Sequence, residues 1–346
     1  LRQSTAPGSV PKSPTTARRS PHPRVPVSRY PEEIPLSAIA PFTPRILLVT
    51  GKGGVGRSTT AAALGHAFAS AGEAVLLLEI GGVGDDASAL ARAFGRVRLP
   101  TKPERIDTVT RPERGAIFGA LLLANTGHER FLRRVLPGGP LVAAALRNDA
   151  LQRLLNAAPS FQEMGIFYHL LTILRETENQ RFRWDRVIID MPATGHTLAL
   201  TELPAQLLRL LPNGFIGEEL RAGRTLLEDR TQTGAVVVTL PERLPITESR
   251  ELAQGLAKSG VGLCAYVVNK MPATDFSKEE RDVLDTWLAH SPPLFGRGDY
   301  LRSADAKGLA RELDGDGAPL VLLPELALSG PALPPALIPY LTKGPS

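Results

Sequence analysis

The stretch from Arg45 to Thr60, RILLVTGKGGVGRSTT, constrains the fold of this chain more than any other part of the sequence. It begins with a β-branched and leucine-rich run at 45–50, which is typical of a strand buried on both faces. The residues from Ser58 onward, STTAAALGHAFASAG, favour a helix that ends at Gly72. Because four glycines separate strand and helix, backbone N–H groups can converge on an anion at the helix N-terminus. A phosphate group is the natural occupant of such a loop.

The positions of this loop match the parts of a nucleotide-binding P-loop. Ser58 stands where the P-loop hydroxyl ligates Mg²⁺, and the preceding position normally carries the lysine that reaches the β and γ phosphates. Here that position is Arg57, and a second cation, Lys52, lies at the front of the loop. The loop residues that we predict to bind nucleotide are Gly51, Lys52, Gly53, Gly54, Val55, Gly56, Arg57, Ser58 and Thr59.

A second candidate site lies in RVIIDMPATGHTLAL, residues 186–200. Asp190 follows a buried strand, and ligands of open α/β sheets bind at the carboxyl ends of the strands. Its carboxylate is therefore predicted to bind Mg²⁺ together with Ser58, directly or through water. The turn after it is predicted to place the N–H of Gly195 near a γ-phosphate, whereas His196 is interpreted as a structural or positioning residue rather than a catalytic base.

Both motifs resemble those of one family. GKGGVG resembles the deviant Walker A motif of the ArsA, MinD and nitrogenase-iron-protein class of dimeric ATPases. DMPATGHTLAL resembles the switch II motif DxxPTGHTLRLL of the ArsA family, which includes arsenite-transporting and tail-anchored-protein-targeting ATPases. The resemblance covers about residues 45–327 and is nearest to the bacterial branch. It implies a P-loop NTPase fold, ATP and Mg²⁺ as cofactors, and a dimer in which Lys52 reaches the partner's nucleotide, so Lys52 and Asp190 are the predicted catalytic residues.

Three later segments follow the same family. Residues 236–261, VVVTLPERLPITESRELAQGLAKSGV, resemble the strand, turn and helix after switch II. VVNK at 267–270 resembles the segment whose asparagine reads adenine, which implies that Asn269 hydrogen-bonds the base. By the same resemblance Pro324, in LLPEL at 322–326, lines the other side of the base.

The sequence departs from the family pattern at three places. Arg57 replaces the P-loop lysine with a bulkier, planar cation. The place of the switch I aspartate falls near Gly81, and the carboxylates nearby are Glu79, Asp85 and Asp86. The cysteines that bind arsenite or zinc in relatives are absent, since Cys264 lies elsewhere, so arsenite handling by thiolates is disfavoured.

Apolar runs that alternate with helical patterns predict a doubly wound, mostly parallel α/β sheet. The predicted strands are 45–50, 74–80, 186–190, 235–240, 262–269 and 319–323. Between 114 and 177 we expect no strand of this kind, because apolar residues recur there every three or four positions. This segment is predicted to be an inserted block of helices, and 202–230 a second helical insertion.

The ends of the chain have a different composition. Residues 1–44 contain ten prolines and are predicted to form a disordered Pro/Arg-rich tail, and 328–346 a Pro-rich carboxyl tail. The first tail holds six Lys/Arg against two Glu, which is four of the five net positive charges, so no nucleic-acid partner is expected.

The cysteine content and the hydropathy bear on the location of the chain. Cys264 is the only cysteine, so no disulfide or paired-cysteine zinc site can form within one chain, which fits a cytoplasmic location. No apolar run approaches the roughly 20 residues that span a bilayer.

The leading hypothesis is a Mg²⁺-dependent ATPase in which nucleotide closes a homodimer or a heterodimer and couples hydrolysis to an unknown protein client. The departures at Arg57 and Gly81 predict slow turnover. They also motivate the alternative of a non-hydrolysing nucleotide-binding partner of a related ATPase. Membrane or nucleoid partitioning is disfavoured, because the prolines of the carboxyl end oppose an amphipathic membrane helix.

Overall fold

A computed structural model of the chain describes residues 34–81, 88–107, 115–135, 161–210, 212–272, 277–290 and 305–342. The predicted tail residues 1–33, the carboxylates Asp85 and Asp86, and residues 136–160 of the predicted helical insertion lie outside the described residues.

The strands of the described residues form one large sheet and a small hairpin. The sheet has the order β10-β9-β8-β1-β7-β2-β4-β3, and its pairs are parallel except for the antiparallel pair of β3 and β4. The hairpin pairs β5 with β6. The strands are β1 Ile46–Gly51, β2 Val75–Ile80, β3 Glu104–Arg105, β4 Ile117–Leu122, β5 Thr177–Glu178, β6 Arg181–Phe182, β7 Arg186–Asp190, β8 Thr233–Thr239, β9 Leu263–Met271 and β10 Leu320–Pro324.

Helices connect these strands and cover both faces of the sheet. They are α1 Arg57–Ser70, α2 Ala89–Arg92, α3 Ala124–Val135, α4 Phe161–Leu174, α5 Thr194–Leu210, α6 Gly214–Glu228, α7 Arg243–Lys258, α8 Lys278–His290, α9 at 305–311, α10 Leu333–Ala336 and α11 Ile338–Leu341. Short 3₁₀ turns lie at Leu36–Ile39, Asp314–Asp316 and Gly330–Ala332.

Alternate strand residues face two separate apolar layers. In β1, Leu47 and Val49 pack in the layer that contains α1, and Ile46 and Leu48 pack in the layer that contains α4 to α7 and α9. Because both faces are covered, the central strands are apolar throughout, as parallel strands require. The predicted doubly wound, mostly parallel α/β sheet is confirmed, and the carboxyl ends of its parallel strands share one edge.

The prediction that residues 114–177 contain no strand is wrong, because β4 lies inside that range and pairs with β2 from Val75 to Ile80. Ile117 and Leu121 face one apolar layer, and Ala120 and Leu122 face the other. A strand buried on both faces has no polar alternation, so its sequence IFGALL does not differ in periodicity from a buried helix. Helical structure in the insertion begins at α3.

The predicted boundaries of both tails need correction. Ile39 and Phe42, assigned to the amino-terminal tail, are 1% and 0% exposed and pack in the α1 layer. Arg186 fixes the same segment by donating hydrogen bonds of 2.8 Å and 2.6 Å to the carbonyl oxygens of Thr43 and Pro44. Residues 34–44 therefore belong to the folded body and not to a disordered tail.

The carboxyl end is also part of the core. Leu337, Ile338 and Leu341 are buried in the α1 layer, although the proline content of this segment predicted a tail. Proline is compatible with the first turn of a helix, and α10 and α11 each carry proline there. None of the described helices combines the length and the apolar character that crossing a bilayer requires.

Candidate functional site

Two glycines of the loop between β1 and α1 lie where a side chain would collide with a neighbouring strand. Gly51 has φ of 150°, and a Cβ there would lie 2.2 Å from the carbonyl oxygen of Val238. Gly56 has φ of 97°, and its Cβ would lie 2.1 Å from Nδ2 of Asn269. The chain therefore passes close to two neighbouring strands before it enters α1, whose N-terminus carries the partial positive charge of a 14-residue helix.

The outer side of the loop is open. A Cβ added at Gly53 or Gly54 would meet no atom within 4 Å, and both residues are exposed. Thr59 follows in the first turn of α1 and is half-buried, whereas Val55 is buried beneath the loop. Space for a ligand thus lies outside the loop, on the side of the α1 N-terminus.

The two loop cations have separate partners. Lys52 Nζ lies 2.6 Å from Glu248 Oε1 on α7, and the lysine side chain remains 47% exposed. Arg57 donates a hydrogen bond from Nη1 to the carbonyl oxygen of Met191, the residue after β7. The loop is therefore joined to α7 through Lys52 and to the chain after Asp190 through Arg57.

Asp190 and Ser58, the predicted metal ligands, are in direct contact. Ser58 Oγ donates a hydrogen bond to Oδ2 of Asp190, of which 6% is exposed. The other oxygen, Oδ1, is buried and has no hydrogen-bond partner among the described residues. Burial raises the pKa of Asp190 to about 6; the Ser58 hydrogen bond and Arg57 oppose the shift, and the charge of Glu79 adds to it.

This pair of oxygen ligands fits Mg²⁺. Among the described residues no group of three or more His, Cys, Asp or Glu side chains could hold a metal by itself. Mg²⁺ in nucleotide sites needs no such group, because one or two carboxylates, substrate phosphates and water complete its coordination. The Ser58 hydroxyl and the unpartnered Oδ1 of Asp190 supply the donor types that this chemistry requires.

Glu79 lies beside Asp190 on the neighbouring strand. The two residues are register partners in the parallel pair of β2 and β7. Glu79 accepts hydrogen bonds from the hydroxyl of Ser88 and, at 3.1 Å, from the backbone N–H of Ala89 at the start of α2. Burial raises the pKa of Glu79, and these hydrogen bonds oppose the shift. Gly81, where the resemblance places a switch I aspartate, follows two residues later.

Asn269 has a contact that the sequence did not predict. It is 7% exposed, and its Nδ2 donates a 2.8 Å hydrogen bond to the carbonyl oxygen of Val55 inside the loop. Pro324 is half-buried at the end of β10 and pairs with Met271 of β9 after an irregularity in the register. The two residues predicted to contact a base thus lie near the ends of adjacent strands. Asn269 also holds the loop through its hydrogen bond to Val55.

The segment after β7 contacts β1 of the sheet and helix α4. Gly195 is exposed in the first turn of α5. Thr197 donates a 2.9 Å hydrogen bond to the Pro192 carbonyl, so Thr50 of β1 is the donor in the 2.9 Å contact between the two threonine hydroxyls. His196 Nδ1 lies 4.0 Å from Glu163 Oε1 on α4 and is largely exposed.

Sequence reasoning missed two of these residues. Glu248 was not singled out, although it holds Lys52, because it is separated from the loop by 196 residues and has no motif of its own. The buried Thr50 carried one signal, a hydroxyl at the end of an otherwise apolar strand.

The sequence matches the profile of one protein family. Residues 44–215 and 215–291 match the family described as anion-transporting ATPases. The matched region includes the loop at 51–59, Asp190 and Gly195, together with Asn269.

Related proteins carry names that include ATPase. The chain is 29% identical over 275 residues to the ATPase BagA of Mycobacterium tuberculosis, covering 78% of each protein. It is 26% identical over 265 residues to the ATPase GET3C of Arabidopsis thaliana, covering 65% of this chain and 66% of that protein. It is also similar to an arsenical pump-driving ATPase of Escherichia coli, at 27% identity over 229 residues, covering 65% of this chain and 34% of that protein.

Proposed function

Because the chain belongs to the ArsA family of anion-transporting ATPases, we propose that it binds ATP with Mg²⁺ at the loop between β1 and α1 and hydrolyses it. The observation that carries the proposal is the contact of Ser58 with Asp190 beside a glycine-dependent loop at a helix N-terminus. Backbone donors and the helix N-terminus favour a polyphosphate, and the buried carboxylate favours a cation that accompanies it.

Ser58 and Asp190 are the residues that hold Mg²⁺ in this proposal. When bound there, Mg²⁺ would supply positive charge to neutralise the phosphates while water replaces the β–γ bridging oxygen at the γ-phosphorus. The chain contributes mainly by positioning and by charge. Arg57 supplies a fixed guanidinium next to Asp190, and the glycines at 51 and 56 hold the loop against β8 and β9.

Lys52 is proposed to act across a dimer. In the single chain it is bound to Glu248, but an ion pair that is about half exposed is worth only about 0 to 1 kcal/mol. The lysine can therefore leave this pair at small cost when a partner's phosphates are near. The partner is a second copy of this chain or a related ATPase.

The helices within 114–177 and 202–230 are proposed to respond to the nucleotide and to bind a client. Met191 supports this coupling, since its carbonyl accepts from Arg57 and its side chain lines an apolar cavity with Phe167 and Leu170 of α4. His196 lies near Glu163 on the same helix. A change at the phosphates that moves Arg57 would therefore be transmitted to α4 through Met191.

The alternative function is a nucleotide-binding partner that does not hydrolyse ATP. It is favoured by Gly81, which puts no carboxylate at the place where the family resemblance expects the water-orienting aspartate. It is also favoured by Arg57, whose guanidinium is engaged with the Met191 carbonyl.

Isothermal titration calorimetry tests the shared part of both functions. We expect ATP and ADP to bind with one site per chain in the presence of Mg²⁺, and Ser58→Ala to weaken binding more with Mg²⁺ than with EDTA. The matched control is Ser329→Ala, which lies far along the chain at the carboxyl end. An absence of binding by the folded wild type up to millimolar nucleotide would remove both functions.

A further inference from the structure

Glu79 and Asp190 place two carboxylates side by side at the nucleotide edge of the sheet. They are register partners on parallel strands, so their side chains leave the sheet on the same face. Leu77 and Ile188, two residues earlier on each strand, pack in the α1 layer, which identifies the face as that of the loop helix. Strands in a sheet are about 4.8 Å apart, so the two acidic groups begin within a short distance of each other.

One oxygen of these two carboxylates has no hydrogen-bond partner among the described residues, although a cation lies near each carboxylate. Arg57 and Arg92 are the cations that act electrostatically on Asp190 and on Glu79, respectively. Arg57 also donates to the Met191 carbonyl. Oδ1 of Asp190 is buried without a hydrogen-bond partner among the described residues, and an unsatisfied buried carboxylate oxygen is costly. These observations indicate a site that gains from a further positive charge.

Glu79 retains the capacity to accept more hydrogen bonds. Its Oε2 accepts from the Ser88 hydroxyl and its Oε1 from the Ala89 N–H. An ionised carboxylate offers about four lone-pair positions, so each oxygen can also accept from water. The contacts to Ser88 and Ala89 fix the orientation of the carboxylate by anchoring it to the start of α2.

We infer that Glu79 is the second carboxylate of the divalent-cation site that Ser58 and Asp190 begin. Glu79 acts as a positioning residue that holds water ligands of the cation and that links the cation to α2. Ser58 contacts Asp190 directly, and Glu79 lies one strand further from the loop, which favours the outer coordination shell for Glu79. The inference rests on the proposed nucleotide function and adds a residue to its metal site.

The test compares ADP affinity in Mg²⁺ with ADP affinity in EDTA, for the wild type and for Glu79→Gln. Loss of an outer-shell partner typically weakens a metal site by about tenfold or more. We therefore expect Glu79→Gln to reduce the Mg²⁺ enhancement about tenfold and to leave the affinity in EDTA unchanged. Electron paramagnetic resonance of Mn²⁺ with ADP should show a matching loss of bound Mn²⁺.

Two further variants separate the charge of Glu79 from its hydrogen bond with Ser88. Ser88→Ala removes the hydroxyl contact but keeps the carboxylate, and we expect the Mg²⁺ enhancement to persist. Glu79→Asp keeps the charge on a side chain that is one methylene shorter, so we expect a measurable loss that is smaller than that of Glu79→Gln. If Glu79→Gln does not fold, weaker Mn²⁺ binding by Glu79→Asp but not by Ser88→Ala supports the inference.

Three outcomes would overturn the inference. They are an unchanged enhancement in Glu79→Gln, equal losses in Glu79→Gln and Ser88→Ala, and, where Glu79→Gln does not fold, unaltered Mn²⁺ binding by Glu79→Asp. Failure of the proposed function is distinguishable, because the wild type itself would then bind no ADP in either Mg²⁺ or EDTA.

Discussion

Arg57 is the residue at which this chain departs most clearly from an ordinary phosphate-binding loop. Its guanidinium joins the loop to the chain after β7 through the Met191 carbonyl. A guanidinium is a planar fork with several donors, whereas an ammonium is a compact charge on a flexible stem. The arginine can therefore bind the protein backbone and a phosphate at once, which keeps the loop and the switch segment together.

Replacing Arg57 by lysine should tighten ATP binding. An ammonium is a compact point charge rather than a fork of donors, so we expect lysine to direct its charge to the phosphate instead of the Met191 carbonyl. We expect a gain of about 1.5 to 3 kcal/mol, the scale of one hydrogen bond to a charged group, in calorimetry with Mg²⁺. Arg221→Lys on α6 is the control and should change nothing. Unchanged or weaker ATP binding would contradict this role for Arg57.

Removing the Asn269 side chain should loosen the loop and weaken base recognition. Asn269→Ala leaves the buried Val55 carbonyl without its partner, which should cost about 1 to 3 kcal/mol in the free energy of unfolding. Denaturant titration measures this loss, with the exposed Asn213→Ala as the control.

Ligand binding by Asn269→Ala distinguishes the hydrogen bond to the Val55 carbonyl from the predicted contact with the base. We expect ATP to lose more affinity than inorganic tripolyphosphate, which has no base. Equal losses for the two ligands would mean that Asn269 serves only the loop, and the predicted contact with adenine would be wrong.

At the residue scale the sequence predicted that Ser58 and Asp190 meet at one sheet edge, but not the contacts that Glu248 and Asn269 make with the loop. The spacing of glycines and Ser58 after an apolar strand defines a loop at a helix N-terminus, and Asp190 at a strand end defines the same sheet edge. Glu248 and the clamp by Asn269 depend on contacts between residues about 200 positions apart. A single sequence carries no signal for such contacts.

Among the elements, α3 and α4 form the tightest helix contact in the proposed client region. A Cβ added at Gly127 would lie 1.7 Å from the carbonyl oxygen of Gly165, and a Cβ at Gly165 would lie 2.5 Å from that of Ala124. His128 Nε2 lies 2.7 Å from the Phe161 carbonyl oxygen and joins the same two helices. The backbones therefore approach as closely as glycine permits.

Gly127→Ala should force α3 and α4 apart. We expect a loss of about 1 to 3 kcal/mol in the free energy of unfolding, as for overpacked cores. Hydrogen exchange of α3 and α4 should become faster. The control is Gly308→Ala on α9, where a Cβ meets no atom within 4 Å and alanine is the better helix former. Equal stability of the two variants would contradict the close packing.

The elements also show where hydrophobic periodicity does not distinguish a strand from a helix. The strand runs at β1, β2, β7, β8, β9 and β10 were predicted within a few residues, because each is bounded by turn or helix signals. The strand β4 was interpreted as part of a helical block, since IFGALL is covered on both faces. The short helices near Leu337 were interpreted as a tail, since local composition does not reveal the groove beside α1 that buries them.

For the whole molecule, the account depends on Lys52 exchanging one partner for another. In the single chain its ammonium is 2.6 Å from Glu248, on the helix α7 that follows β8. In the proposed dimer it leaves this carboxylate for the partner's phosphates. We therefore expect hydrolysis to depend on Lys52 far more strongly than folding or nucleotide binding does.

Phosphate release under saturating ATP and Mg²⁺ tests this account most directly. We predict that the wild type releases phosphate slowly, at about 1 per second or below. Lys52→Ala should reduce release to background while its calorimetric ATP affinity stays within a few-fold, and the control Lys258→Ala at the end of α7 should match the wild type. If the ATP-saturated wild type released no phosphate above background, or if Lys52→Ala matched it, the account of a dimer-coupled ATPase would be contradicted.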